Sequence, residues 1–299
     1  MKPKISAFFQ SPLNVFLFRR MSPSLAQRYL HAIGFLYYLL NRKEKRVIEA
    51  NVREVLSCEG RIPRDERYTR QVIRETFKGI FTHYFEKMFS AFLDFDTVSK
   101  YVKDRFEVKG GELLARALAR GKGCILVTAH WGAVEFIPWV LHAHGFPASV
   151  VLECATARLA RCLRKQITRA DTELISSAYG SSIFLRAMQS LKANRVLMTQ
   201  CDEVDVWRKR PNRTIRLFDR EIFFDDTIDV LSHRSGAPVV AAFLKRTSGN
   251  RYTLILEDVS VERKAQSTAR DCLELWQKYV TLHPEQWYQW KKWKQMKVA

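Results

Sequence analysis

The chain has 299 residues, enough for one large domain or two modest ones with a sizeable core. Its formal net charge of +19, from 50 Lys and Arg against 31 Asp and Glu, calls for an anionic partner: phospholipid headgroups, nucleic acid, a phosphorylated substrate or an acidic carrier protein. Six scattered cysteines with no C-x-x-C argue against a zinc site or a disulfide framework and suit a reducing cytoplasm.

Residues 1 to about 100 read as helical. The start, Met1-Lys-Pro-Lys4, is basic, but the apolar Leu13 to Phe18 is short and lacks a small-residue cleavage site, so no secretory signal is expected. Ala26 to Leu40 is apolar and aromatic and ends in Asn41-Arg-Lys-Glu-Lys-Arg46, which suits a helix lying in a membrane interface or, equally, one buried in a soluble bundle. Its uncharged part, Tyr29 to Asn41, is 13 residues, short of the ~20 that cross a bilayer. Ile80, Phe81, Tyr84, Phe85, Met88 and Phe89 recur at helical spacing and read as core.

From about residue 105 strands and helices alternate. Expected strands are Cys124–Ala129, Ser149–Leu152, Val196–Thr199, Pro238–Leu244 and Tyr252–Leu256. Expected helices are Glu112–Arg120, Gly132–His144, Arg158–Arg169, Ser182–Ala193 and Thr227–Ser235, with a long last helix from Thr268. This predicts an α/β fold, a mixed and mostly parallel sheet flanked by helices. It divides the chain into an N-terminal helical, membrane-associating region (1–100) and an α/β domain (101–299) closed by a C-terminal amphipathic helix.

The chemistry-bearing stretch is Val127-Thr-Ala-His-Trp-Gly-Ala-Val-Glu135. Five helical steps rotate a side chain by roughly 140°, so His130 and Glu135 could not share one helix face. With His130 on the turn after a strand and Glu135 in the first helical turn, the carboxylate can reach back to the imidazole, fixing its tautomer and stabilising the imidazolium of a general base. The same spacing fits a strand-end His and a solvated first-turn Glu, which suits the helix dipole.

Two basic strips stand out. Arg158, Arg161, Lys165 and Arg169 lie opposite the apolar Leu159, Ala160, Leu163 and Ile167, as a solvated face or a docking strip for phosphates or an acidic protein. Arg208-Lys-Arg-Pro-Asn-Arg213, with Arg216 and Arg220, follows the acidic Asp202, Glu203 and Asp205. At the C-terminus, Trp287, Trp290 and Trp293 lie about one turn apart among Lys291, Lys292, Lys294 and Lys297. Trp287 and Trp290 are expected to pack on the sheet, and Trp293 with the lysines to anchor at a membrane surface. P-loop, nucleophile-elbow and H-E-x-x-H motifs are absent from the sequence.

Several of these features occur together and in order. The apolar N-terminal helix with Asn41-Arg-Lys-Glu-Lys-Arg-Val-Ile-Glu-Ala-Asn51, the His130-x4-Glu135 element, Gly236-Ala-Pro-Val-Val240 after Arg234, and His283-Pro-Glu-Gln-Trp287 before Trp290 resemble the bacterial lipid A biosynthesis acyltransferases of the lauroyl/myristoyl type. The resemblance runs through most of the chain. It implies transfer of a fatty acyl chain from a thioester, on acyl carrier protein or CoA, to a hydroxyl of an anionic lipid or glycolipid. It makes His130 the catalytic base and Glu135 its partner. It gives Arg169 and Asp202 substrate-binding roles; Gly132 is expected to join them because backbone N–H groups at the helix start can hold the oxyanion. It also implies no metal, no cofactor beyond the acyl thioester co-substrate, no nucleic-acid partner, and a peripheral or monotopic place on the cytoplasmic face of the inner membrane. The chain departs from the family pattern at Ala133 and Val134, at Glu153 and at Leu217-Phe-Asp-Arg220, which bears on the acceptor more than on the chemistry. Two other readings fit the charge: a basic nucleic-acid-binding protein, and a peripheral membrane protein of the same fold without activity.

Overall fold

The computed structural model describes residues 5–58, 66–154, 156–176, 182–203, 212–259 and 267–298. The N-terminal part is helical: α1 (Ile5–Phe9), α2 (Pro12–Arg20), α3 (Pro23–Leu40), α4 (Arg42–Leu56), α5 (Glu66–Phe92) and α6 (Phe95–Arg105). Ser11 and Ser22 cap α2 and α3 through their side chains, with proline at the first helical position where no N–H is needed. The long apolar helix buries one face and exposes the other. Ala26, Leu30, Gly34 and Tyr38 of α3 are buried, while Leu25, Phe35, Leu36, Leu39 and Leu40 face outward. No helix among the described residues is long and apolar enough to cross a membrane.

The α/β part runs β1 (Phe106–Lys109), α7 (Gly111–Leu118), β2 (Cys124–Thr128), α8 (Ile137–Ala143), β3 (Ala148–Val151), α9 (Ala157–Arg169), β4 (Thr172–Ile175), α10 (Ile183–Lys192) and β5 (Val196–Gln200). It continues with β6 (Thr214–Leu217), β7 (Arg220–Phe223), α11 (Thr227–Ser235), β8 (Val239–Arg246), β9 (Tyr252–Asp258), α12 (Thr268–Leu282) and α13 (Trp293–Met296). Seven strands form one sheet in the order β1-β9-β8-β2-β5-β3-β4. All neighbours are parallel except β8 and β9. The sheet is mixed, mostly parallel and flanked by helices, as the alternation of elements predicts. Every residue of β2 is buried, the mark of a central parallel strand covered on both faces.

β1 and β4 are short and were not expected; β1 alternates at the sheet edge, and β4 follows directly on α9, where the helical pattern masks it. The stretch read as a basic cluster contains the β6–β7 hairpin, with Ile215 and Leu217 buried and Arg216 exposed. Its two-residue loop, Phe218-Asp219, has both residues at positive φ, as a primed hairpin turn requires. The Phe218 amide donates to Gln277 Oε1 (2.8 Å), and its ring packs between Trp276 and Trp293. Residues 204–211, with Asp205 and the Arg208 to Arg210 part of that basic cluster, lie outside the described residues.

The C-terminal tryptophans correct an expectation. Trp287, Trp290 and Trp293 are all fully buried, so Trp293 is no surface anchor. Trp287 follows a short 3₁₀ turn after α12, Trp290 opens a second one and Trp293 begins α13, and their large apolar rings gain more from the core than from an interface. The buried Asn51 of α4 donates to the Trp290 carbonyl (2.7 Å), and Lys297 pairs with Glu54 (2.8 Å), so this segment is bound to the N-terminal helices.

Candidate functional site

His130 stands two residues beyond the carboxyl end of β2, and the pairing of β2 with β5 decides what it meets. Thr128 is opposite Gln200, and the Cys201 amide donates to the Thr128 carbonyl (2.9 Å). Extending that register by two places sets Asp202 beside His130. The Asp202 carboxylate accepts from the His130 backbone amide (3.0 Å to each oxygen), from His130 Nδ1 (2.9 Å) and from Trp287 Nε1 (2.8 Å). The other ring nitrogen, Nε2, lies 3.2 Å from Glu203 Oε2, and Lys292 Nζ holds Glu203 Oε1 at 3.1 Å.

Burial alone would pull the His130 pKa down, but the Asp202 charge and hydrogen bond, with the Glu203 charge, outweigh it and raise the value above the ordinary imidazole range. Burial likewise pushes Asp202 up, yet His130 and the N–H donors win and hold it below the usual carboxylate range. With carboxylate oxygens at both ring nitrogens, the doubly protonated imidazolium satisfies the arrangement fully.

Glu135 is close but elsewhere. It is ion-paired to Lys87 (3.3 Å) and lies 3.6 Å from Nε2 of His83, both on α5. The expectation that Glu135 orients the ring is therefore corrected: the carboxylate hydrogen-bonded to Nδ1 is Asp202. The reason is the turn itself. Gly132 adopts φ +62°, and a Cβ there would lie 1.9 Å from the Leu244 carbonyl oxygen, so only glycine fits. The chain then enters a 3₁₀ turn (Val134–Phe136) ahead of α8, with Glu135 ion-paired to α5. The amides of Gly132 and Ala133 are taken by the carbonyls of Gln286 and Leu244 (2.9 Å each). Gly132 thus shapes the turn, and its own N–H is already donated. Arg169, at the exposed end of α9, lies over the Phe95 ring (4.4 Å), away from the groups that touch His130.

Three features of the surroundings carried no sequence signal. His83 stacks on Tyr288 (3.8 Å between ring centres), which stands edge-on to His130 (5.5 Å). Burial, then the charges of Lys87 and Arg246, hold His83 well below the ordinary imidazole range, so it is neutral. Arg246, from β8, grips the buried Glu86 of α5 through two bonds (2.7 and 2.8 Å) and also donates to the Gly132 carbonyl (2.5 Å). That pair fastens α5 to the turn bearing His130. Beside the turn lies a narrow apolar cavity of about 50 Å³, walled by Val134, Trp139, Val150, Leu163 and Ile167, with Glu135 as the charged residue of its lining. Thr199 and Gln200 also line it, and Asp202 follows two residues on.

The site is thus a histidine backed by a buried carboxylate, at the carboxyl ends of parallel strands and beside an apolar slot. The model of the family described as bacterial lipid A biosynthesis acyltransferase matches residues 4–295. The chain belongs to that family, whose reaction is acyl transfer in lipid A biosynthesis. No curated protein matches the sequence.

Proposed function

We propose that the protein transfers a fatty acyl chain from a thioester, on acyl carrier protein or CoA, to a hydroxyl of a lipid A-like anionic glycolipid. The observation that supports this reading best is His130 held between Asp202 and Glu203 in a chain of this family. The neutral ring keeps its proton on Nδ1, donated to Asp202, and Nε2 takes the proton of the acceptor hydroxyl. The alkoxide attacks the thioester carbonyl, and the tetrahedral intermediate expels the thiolate. The imidazolium returns its proton to that sulfur. Help of this kind is worth about 10² to 10⁴-fold. No serine or cysteine is hydrogen-bonded to His130 among the described residues, which favours direct attack over an acyl-enzyme.

The acyl chain enters the apolar slot beside Glu135. At about 50 Å³ the slot has room for a few waters, so admission of a chain requires α9, which forms one wall, to yield. Glu135, with Lys87 and His83, contacts the polar end of a substrate rather than the ring. Arg169 and the exposed face of α9 bind a phosphate of the acceptor or of the donor's phosphopantetheine. The outward apolar face of α3 and the net charge of +19 support a peripheral position on the cytoplasmic face of the inner membrane.

The test is mass spectrometry of total membrane lipids from cells with and without the gene, beside a His130→Ala rescue. We expect a lipid one acyl chain heavier with the wild type and absent with the variant. An unchanged lipidome with the protein well expressed and folded would refute the reading.

A further inference from the structure

A second, larger cavity of about 560 Å³ opens between α3, α4 and α5 and shares no lining residue with the slot or with the groups that touch His130. Its construction along α5 is regular. Ile73, Phe77 and Phe81, four residues apart, form an apolar stripe; Arg70, Arg74 and Lys78, with the same spacing, form a cationic stripe beside it. Successive cations in such a row are about 6 Å apart along the axis. The facing wall is Phe35, Tyr38 and Leu39 of α3. At the floor, Gly34 has no side chain because a Cβ would lie 2.3 Å from the Phe81 ring, and His31 Nε2 meets Thr82 Oγ1 at 3.0 Å.

The mouth is positive. Lys45, Arg53, Arg70, Arg74 and Lys78 line it, against Glu49 as its lining carboxylate. Glu66 is shared by Arg53 (2.7 Å) and Arg70 (2.9 Å), and Glu75 by Arg74 (3.3 Å) and Lys78 (3.0 Å). With Lys45 beside Glu49 (3.9 Å), five cations face three carboxylates, a surplus of two positive charges. The apolar wall does not stop at the cavity. Phe35 is 67% exposed and Leu40 87% exposed, with Leu36 and Leu39 between them, so an unpartnered ridge continues outward from the trough.

We propose that this cleft binds an anionic glycerophospholipid, one acyl chain in the trough between α3 and α5 and the phosphate on the Arg70, Arg74 and Lys78 row. A trough of this length with an apolar ridge has no use for a free phosphate, and a purely apolar ligand has no use for the cationic row. The surplus of two charges suits a phosphodiester. The site stands apart from the proposed transfer reaction and does not depend on it. It would fix how the protein sits on a membrane, with α3 down.

The experiment uses the full chain in a neutral detergent and a phosphatidylglycerol carrying a photoactivatable diazirine in one acyl chain, with adducts mapped by mass spectrometry. We expect adducts on residues 35–39 and 73–81, suppressed by dioctanoyl phosphatidylglycerol but not by dioctanoyl phosphatidylcholine or inorganic phosphate at the same concentration. Arg74→Glu with Lys78→Glu should cut this labelling about tenfold or more, the loss of a charge-assisted contact. The same variant should keep its melting temperature and its acyl transfer to detergent-dispersed acceptor. Arg74→Gln with Lys78→Gln gives the same reading without new charge. Adducts confined to the exposed ridge, equal labelling by neutral lipid, suppression by phosphate alone, or wild-type labelling of either double variant would each overturn the proposal.

Discussion

Replacing Asp202 by asparagine removes one charge and almost no volume, so its consequences follow from the hydrogen bonds alone. The carboxylate accepts from three donors: the His130 amide, His130 Nδ1 and Trp287 Nε1. An asparagine offers one oxygen and turns an NH₂ toward the remainder, so at least one buried donor faces another donor. The cost is about 1–3 kcal/mol of stability. The larger effect is on the ring. An amide N–H beside Nδ1 makes that nitrogen an acceptor and sends the proton to Nε2, which can then no longer take one from a hydroxyl. A loss of about 10⁴-fold in transfer rate is expected, as for the same swap in a serine-protease triad, close to 5.5 kcal/mol of barrier. The pH signature has a definite sign. The raised His130 pKa stabilises the fold below the ordinary imidazole value, and this is lost as pH rises through the raised value. The lowered Asp202 pKa stabilises it above the ordinary carboxylate value, and this is lost as pH falls through the lowered value. The stability gap between wild type and Asp202→Asn is thus widest between those two limits. Urea unfolding across pH and transfer rates read by mass spectrometry measure both effects. An Asp202→Asn protein with more than a tenth of wild-type turnover, and an unchanged unfolding midpoint near neutral pH, would refute this account of the site.

Glu203→Gln removes the second negative charge from the ring, so the acid limb of the transfer rate should move to lower pH; an unmoved limb would show that Glu203 does not couple to Nε2. Glu135→Gln is expected to lower transfer while leaving that limb in place, because Glu135 pairs with Lys87 and lies beside His83; a shift matching that of Asp202→Asn would return Glu135 to the ring. Arg246→Met strands the buried Glu86 and should cost about 3–5 kcal/mol, with most of it recovered in Glu86→Gln with Arg246→Met. Burial raises the Glu86 pKa even in the wild type, against the pull of Arg246, so the loss in Arg246→Met should shrink as pH falls; a loss independent of pH in urea titrations would contradict the stranded charge.

Much of the architecture was legible in the chain because it rests on local periodicity. The 3.6-residue recurrence of Ile80 to Phe89 and the apolar run at Cys124 belong to α5 and β2, where burial on one face or on both writes itself into neighbouring residues. The sequence also marked His130 at a strand end and the basic face of α9. What it could not carry was who meets whom across elements. Glu135 is five residues from His130, yet Asp202, 72 residues away, takes the ring, because the parallel register of β2 and β5 brings those two strand ends level while Gly132 turns the chain away. Trp293 stands among lysines in the sequence, but it is fully buried with its ring against Phe218, which also packs on Trp276. The cationic row and apolar stripe of α5 are both present as i, i+4 spacings in the sequence, but only the approach of α3 at Gly34 turns them into a cleft. Composition and period fix which faces are apolar; strand register and close packing, which involve residues far apart in the chain, decide which side chains share a site.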